Sequence, residues 1–210
     1  MMNFDFDNEG KGSKIRKILI KIFIWAAQIA AVIFLAYFII NYALEKTNMV
    51  GISMEKTLYD GDSIIINKFT YHFIEPKRFD VIVFKRGSKE HSYYNIKRVI
   101  GLPGETIQIK DGQIYINGEI VMDIIVSETM NNYGLAKEEI KLEENEYFVL
   151  GDNRNNSEDS RFASVGTIRR DEIVGEAFIR LNPFNFVNKL NLLSDAQNNE
   201  GTDSGDTVKK

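Results

Sequence analysis

The sequence predicts a mainly β, antiparallel domain that follows one N-terminal transmembrane helix. Three observations predict it. The chain is apolar and uncharged from Ile22 to Tyr42. After residue 43 the apolar residues fall into short, often alternating runs, the pattern of half-buried strands. Two dipeptides that favour hairpin turns, Asp111-Gly112 and Asn117-Gly118, sit inside the longest of these stretches.

The apolar run reads IFIWAAQIAAVIFLAYFIINY, with Gln28 and Asn41 as its clearly polar members. As a helix it would span roughly 31 Å, close to the ~30 Å hydrocarbon core of a bilayer. A cleavable signal peptide has a shorter apolar core of about 7–15 residues. Trp25, Tyr37 and Tyr42 lie towards the ends, where interfacial aromatics collect. Lys11, Lys14, Arg16, Lys17 and Lys21 precede the run, and Glu45 and Lys46 follow it. The positive-inside rule then puts the N-terminus in the cytoplasm and the rest of the chain outside a cell membrane. The expected organisation is a cytoplasmic segment over 1–21, a transmembrane helix over 22–42, an extracytoplasmic β-rich domain over 43–190 and a disordered tail over 191–210.

Within the outer domain, strands are expected in DSIIINK, DVIVF, YNIKRVIG, EYFVLGD and around the two turn signals in ETIQIKDGQIYINGEIV. The last strand is expected in EIVGEAFIRL, Glu172 to Leu181. ETMNNYGLAKEEIKLEEN is more polar and reads as a peripheral loop or short helix. Both chain ends are too poor in apolar residues to support a core.

Composition narrows the function. A net charge of −4 supplies no basic field for nucleic acid. The absence of cysteine excludes disulfides and thiolate chemistry, and two histidines, His72 and His91, leave few candidates for a histidine base.

Ser53 follows the apolar run closely, in GISMEKTLYDGD. A serine hydroxyl is a poor nucleophile until a base takes its proton. His91 lies in the polar stretch SKEHSYYN with no evident orienting carboxylate, and His72 lies in an aromatic stretch. A lysine amine is the other route. At its reference pKa a lysine is neutral in roughly one molecule in 2,500 at pH 7, so it must be desolvated to act as a base. Lys97 has the right setting, among Ile96, Val99 and Ile100 in NIKRVIGLPGE, with strand alternation sending Arg98 to the opposite face. A third stretch, GDNRNNSEDSR from Gly151 to Arg161, is dense in charge and hydroxyl groups and follows the apolar YFVL. Such a block serves either as a hydrogen-bonded loop or as the support that fixes a site's geometry.

In this order, behind an N-terminal anchor, the three stretches resemble bacterial type I signal peptidase, of Gram-positive-like form, over most of residues 45–185. The resemblance implies an antiparallel β fold of signal-peptidase type and a serine endopeptidase that removes signal peptides from exported preproteins. It implies Ser53 as nucleophile and Lys97 as general base. Ser157 would hydrogen-bond and orient the lysine, Asp152 and Asp159 would form ion pairs with Arg98 and Arg161, and Met54 would help line the site. The implied partners are exported preproteins and membrane lipid, with no metal or nucleotide cofactor. FTYHFIEPKRF, with Phe69, Tyr71, Phe73 and Phe79, is a candidate for lipid contact.

Two departures stand out. The family usually has proline where this chain has Lys56, and some members carry serine where it has Gly51. The first supports an alternative reading, a catalytically weak or inactive signal-peptidase-like module that binds or assembles exported proteins. A self-cleaving repressor of the Ser–Lys type is a further alternative, and the apolar run argues against it.

Overall fold

In the computed structural model, residues 11–86, 93–122 and 129–187 are described; the leader before Lys11 and the tail expected over 191–210 lie outside them. The chain divides into two units, residues 1–43 and 44–210.

The first unit is helix α1, Lys11–Phe38, closed by a π-helical turn over Ile39–Ala43. It starts well before Ile22 because the basic flank is made of good helix formers. The span from Ile15 to Ala43 is long and apolar enough to cross a membrane, and its apolar side chains stand exposed. At the π turn Asn41 Nδ2 donates to Tyr37 O at 2.8 Å. Phe38 and Tyr42 stack at 4.8 Å.

The second unit is built on strands. They are β1 (Leu44–Asn48), β2 (Ser63–Asn67), β3 (Val81–Lys85), β4 (Tyr94–Gly101), β5 (Thr106–Lys110), β6 (Gln113–Ile116), β7 (Glu119–Val121), β8 (Ile140–Lys141), β9 (Glu146–Leu150), β10 (Ile168–Arg169), β11 (Ile173–Leu181) and β12 (Phe184–Phe186). One sheet runs β1-β2-β11-β3-β4-β9-β10, with β12 paired to β11; the other runs β7-β6-β5-β8, and every pairing is antiparallel. The mainly β, antiparallel expectation holds. At the two predicted hairpin turns, Asp111, Gly112, Asn117 and Gly118 all have positive φ, as two-residue primed turns require.

Alternation sorts the side chains into three cores. Ile64, Ile66, Val81, Val83 and Ile96 pack with Met54 and Leu58; Ile82, Phe84 and Val99 pack with Tyr147 and Val149; and Ile100 packs with Ile107, Ile109 and Phe148 under the small sheet. Each nearly buried Ile, Leu or Phe contributes about 1.5–3 kcal/mol.

Four strands, β1, β8, β10 and β12, escaped the sequence reading; β8 and β10 are two-residue pairings too short to leave an alternating pattern. β1 is polar because it is a sheet edge, and β12 is a three-residue return beyond the expected last strand. The stretch taken as peripheral is not: Met130, Ala136 and Leu142 are buried in the third core, and Leu135 N donates to Arg161 O at 2.8 Å. Its polar residues masked three apolar anchors spaced six apart.

β11 carries an irregularity at Gly175, where β2 comes unusually close. A Cβ there would stand 2.5 Å from the Asn67 carbonyl oxygen, a backbone atom with little freedom to move. Gly175→Ala should therefore destabilise the domain by about 1–3 kcal/mol, read as a lower denaturation midpoint at unchanged slope.

Candidate active site

The segment from Met49 to Asp62 is a tight loop between β1 and β2. Met49 N donates to Asp62 O at 2.8 Å and Gly61 N to Met49 O at 3.0 Å, extending the two strands into the loop. Gly51, at φ +82°, turns the chain outward, and its N–H is held by Asp60 Oδ1 at 2.7 Å. Met54 and Leu58 then plunge into the first core, both fully buried. Ser53 is the residue just before that anchor, so the buried methionine fixes where the hydroxyl stands.

Lys97 lies on β4 opposite Ile82 of β3, and Arg98 lies opposite Val81. Neighbouring residues of a strand face opposite ways, so the two basic side chains serve different sides of the sheet. Lys97 Nζ is 2.7 Å from Ser53 Oγ and donates to it. The lysine is only 6% exposed. Burial pushes its amine below the ordinary lysine range, while the carboxylates of Asp159, Asp152 and Glu158 pull it part of the way back.

On the other face, Arg98 grips Asp152 with two parallel bonds, Nε to Oδ1 at 2.8 Å and Nη2 to Oδ2 at 2.6 Å. Arg98 Nη1 also donates to Phe79 O at 2.7 Å. Arg161 grips Asp159 in the same two-pronged way, at 2.8 and 2.9 Å, and reaches Asn132 O and Arg154 O. All four charged groups are at most 2% exposed, so each ion is matched where it could not be solvated.

Two residues that sequence reasoning passed over tie these parts together. Thr57 Oγ1 donates to Asp152 Oδ2 at 2.5 Å and accepts from Arg98 Nη2 at 3.2 Å, joining the serine loop to the ion pair. Asn153 N donates to Ser53 O at 3.0 Å, and its side-chain amide donates to Ile52 O at 3.1 Å and Glu55 Oε2 at 3.0 Å. The available signal for Thr57 was its place between buried Met54 and Leu58, a position where a hydroxyl needs a partner.

Ser157 departs from what the resemblance implies. Its hydroxyl is buried and has no hydrogen-bond partner among the described residues, while Lys97 Nζ bonds to Ser53. It packs instead against Gly151: a Cβ on that glycine would fall 2.2 Å from Ser157 Oγ and 2.4 Å from Ser53 O. Glycine at 151 is what lets the polar block approach the serine loop. His72 is exposed, its Nδ1 2.7 Å from Lys68 O, and His91 lies outside the described residues.

The family described as signal peptidase, peptidase S26, matches residues 22–182. The chain belongs to it. Signal peptidase I T of Bacillus subtilis (strain 168) is 36% identical over 168 residues, spanning 77% of this chain and 86% of that protein. Signal peptidase I of Bacillus amyloliquefaciens is 35% identical over 172 residues, spanning 79% and 90%. A crystal structure of a signal peptidase I from Enterococcus faecalis V583 matches at 34% identity and a TM-score of 0.39, covering 49% of this chain and 97% of that one.

Against the family pattern, the turn at Lys56 acquires a definite reason to lack proline. Lys56 has φ +90°, whereas a proline ring fixes φ near −65°. The loop is held here by Asn153 and Thr57 in a conformation a proline could not enter. Lys56→Gly should keep or raise stability by up to about 1 kcal/mol, while Lys56→Pro should lower both stability and turnover. Thermal unfolding of the two variants beside the parent decides it.

The buried amine has its own pH signature. Because its pKa is depressed in the fold, the unfolded chain binds this proton more tightly, and stability rises with pH between the lowered value and the ordinary lysine range. Lys97→Met removes that dependence. Its stability relative to the parent should be greatest at neutral pH and shrink as pH approaches about 10.

Proposed function

We propose that the chain is a membrane-anchored serine endopeptidase that removes N-terminal signal peptides from exported preproteins, with Ser53 as nucleophile and Lys97 as general base. One observation carries the reading: a buried lysine amine, its pKa lowered by burial, stands 2.7 Å from a serine hydroxyl. Membership of the signal peptidase family supplies the reaction class.

The first half of β4 suits an extended substrate. β9 pairs with β4 at Arg98, Val99 and Gly101, which leaves the Tyr94–Lys97 stretch without a strand on that side among the described residues. A preprotein laid along this edge would gain main-chain hydrogen bonds and bring its scissile carbonyl to Ser53. Neutral Lys97 takes the Ser53 proton as Oγ attacks the carbonyl carbon. The Ser53 N–H donates to no group among the described residues and is free to hold the oxyanion. The C–N bond then breaks, Lys97 returns its proton to the leaving amine, and water hydrolyses the serine ester under the same base. Shallow pockets would admit small residues before the cut, as signal peptides provide. Asp152–Arg98 and Asp159–Arg161 act from behind, with Met54 anchoring the serine loop.

Helix α1 would span the membrane with its basic flank in the cytoplasm and the β unit outside. Of the aromatic candidates for lipid contact, Phe69 and Phe73 point outward at 57% and 74% exposure, whereas Tyr71 is buried.

Full-length protein in detergent should process a preprotein bearing a signal sequence, and Ser53→Ala and Lys97→Ala should each lower kcat by at least about a thousandfold. The rate should climb with pH through an apparent pKa below the ordinary lysine range, since the neutral amine is the working form. Equal processing by the parent and both variants overturns the assignment; binding without cleavage by the parent favours the inactive-module alternative.

A further inference from the structure

Along β4 from the dyad, the fold forms a cavity of about 320 Å³ lined by Phe84, Arg86, Asn95, Glu158, Ser164 and Val165. The register locates it. Phe84 pairs with Asn95 just as Ile82 pairs with Lys97, and residues two apart share a face. The cavity wall therefore begins about 7 Å along the strand from Lys97, on the same side of the sheet. Glu158 closes it from the polar block, next to Ser157, and its charge is felt at Lys97.

Given the function proposed above, the direction of the substrate follows from the proton. The amine that leaves must receive its proton from Lys97, so the residues after the cut lie on the lysine's side. Residues before the cut belong to the acyl half, bound to Ser53. The cavity thus faces the first residues of the released chain.

Its chemistry is unbalanced. Glu158 already accepts a hydrogen bond from Ser164 Oγ at 2.5 Å. Arg86 makes a single long bond, Nη1 to Thr167 O at 3.4 Å, among the described residues, although a guanidinium carries five N–H donors. The guanidinium is partly withdrawn from water, which strengthens its pull on an acceptor. The unmet demand in the cavity is for an acceptor, and a carboxylate fits a guanidinium fork best. The geometry points to a leaving-side subsite in which Arg86 selects an acidic side chain among the first three residues after the cleavage point. Glu158 stands across the cavity and limits that selectivity.

The test is a preprotein series with Glu, Gln or Lys placed singly at each of the first three positions after the cut, processed by the full chain in detergent. At one position the kcat/KM ratio of Glu to Lys should be about five, the size expected of a partly exposed charge pair. Arg86→Gln should bring that ratio close to one, Arg86→Lys should retain most of it, and Glu158→Gln should raise it. Because the readout is a ratio between substrates, a lower folded fraction in any variant cancels. A ratio near one at all three positions in the parent overturns the proposal, and so does a ratio that survives Arg86→Gln or a preference for Lys that Glu158→Gln removes. Failure to cut any member of the series overturns the peptidase reading itself and is distinct from uncut preference.

Discussion

The polar architecture of the β unit depends on keeping one amine out of water and out of an ion pair. A lysine will pair with any carboxylate it can reach, and a paired lysine holds its proton too tightly to act as a base. Asp152 and Asp159 both lie close enough to Lys97 to raise its pKa. Each is already taken, in a two-pronged grip, by Arg98 and Arg161. The arginines are permanently charged and so cannot yield their partners by losing a proton. The carboxylates are thereby present as structure and largely cancelled as charge, and burial is left as the dominant influence on the amine.

That arrangement explains why the polar block is so dense and why it follows an apolar strand. β9 is buried from Tyr147 to Leu150 and delivers Gly151 to the edge of the serine loop. Gly151 lets the two backbones approach; Asn153 then fastens the loop by three hydrogen bonds, and Thr57 ties it to the Arg98–Asp152 pair from the other side. Removing one member of a buried ion pair costs about 3–5 kcal/mol, because the other is left charged and dry. The same groups that tune the lysine therefore also hold the Ser53 loop, and the site cannot loosen in one respect without loosening in the other.

The parts of this that were legible in the sequence are those with a local signature. The apolar run, the alternating strands and the Asp111-Gly112 and Asn117-Gly118 turns each follow from neighbouring residues, as does the apolar setting of Lys97. The fold class could be read for that reason. What stayed hidden was non-local. β1 is polar and gains its strand character only from pairing with β2, so no pattern within LEKTN announces it. Asn153 acts on residues about a hundred positions earlier, and an asparagine in a polar loop looks alike whether it clamps a serine turn or meets solvent. The resemblance assigned the lysine's orientation to Ser157, yet its hydroxyl is buried close to Gly151 without a hydrogen-bond partner among the described residues; the direction in which a buried hydroxyl turns is not encoded in a motif.

Lys56 shows how a departure from a family pattern is to be weighed. Read as sequence, the missing proline suggests a looser loop and hence a weaker enzyme. The backbone answers differently, since φ +90° at Lys56 is a conformation proline cannot take. Rigidity in this loop comes from hydrogen bonds that begin elsewhere in the chain and from two side chains sunk in the core, Met54 and Leu58. A ring constraint acts by narrowing the unfolded ensemble, whereas these contacts act on the folded state. The second means needs no proline, and with it in place Lys97 Nζ stands 2.7 Å from Ser53 Oγ.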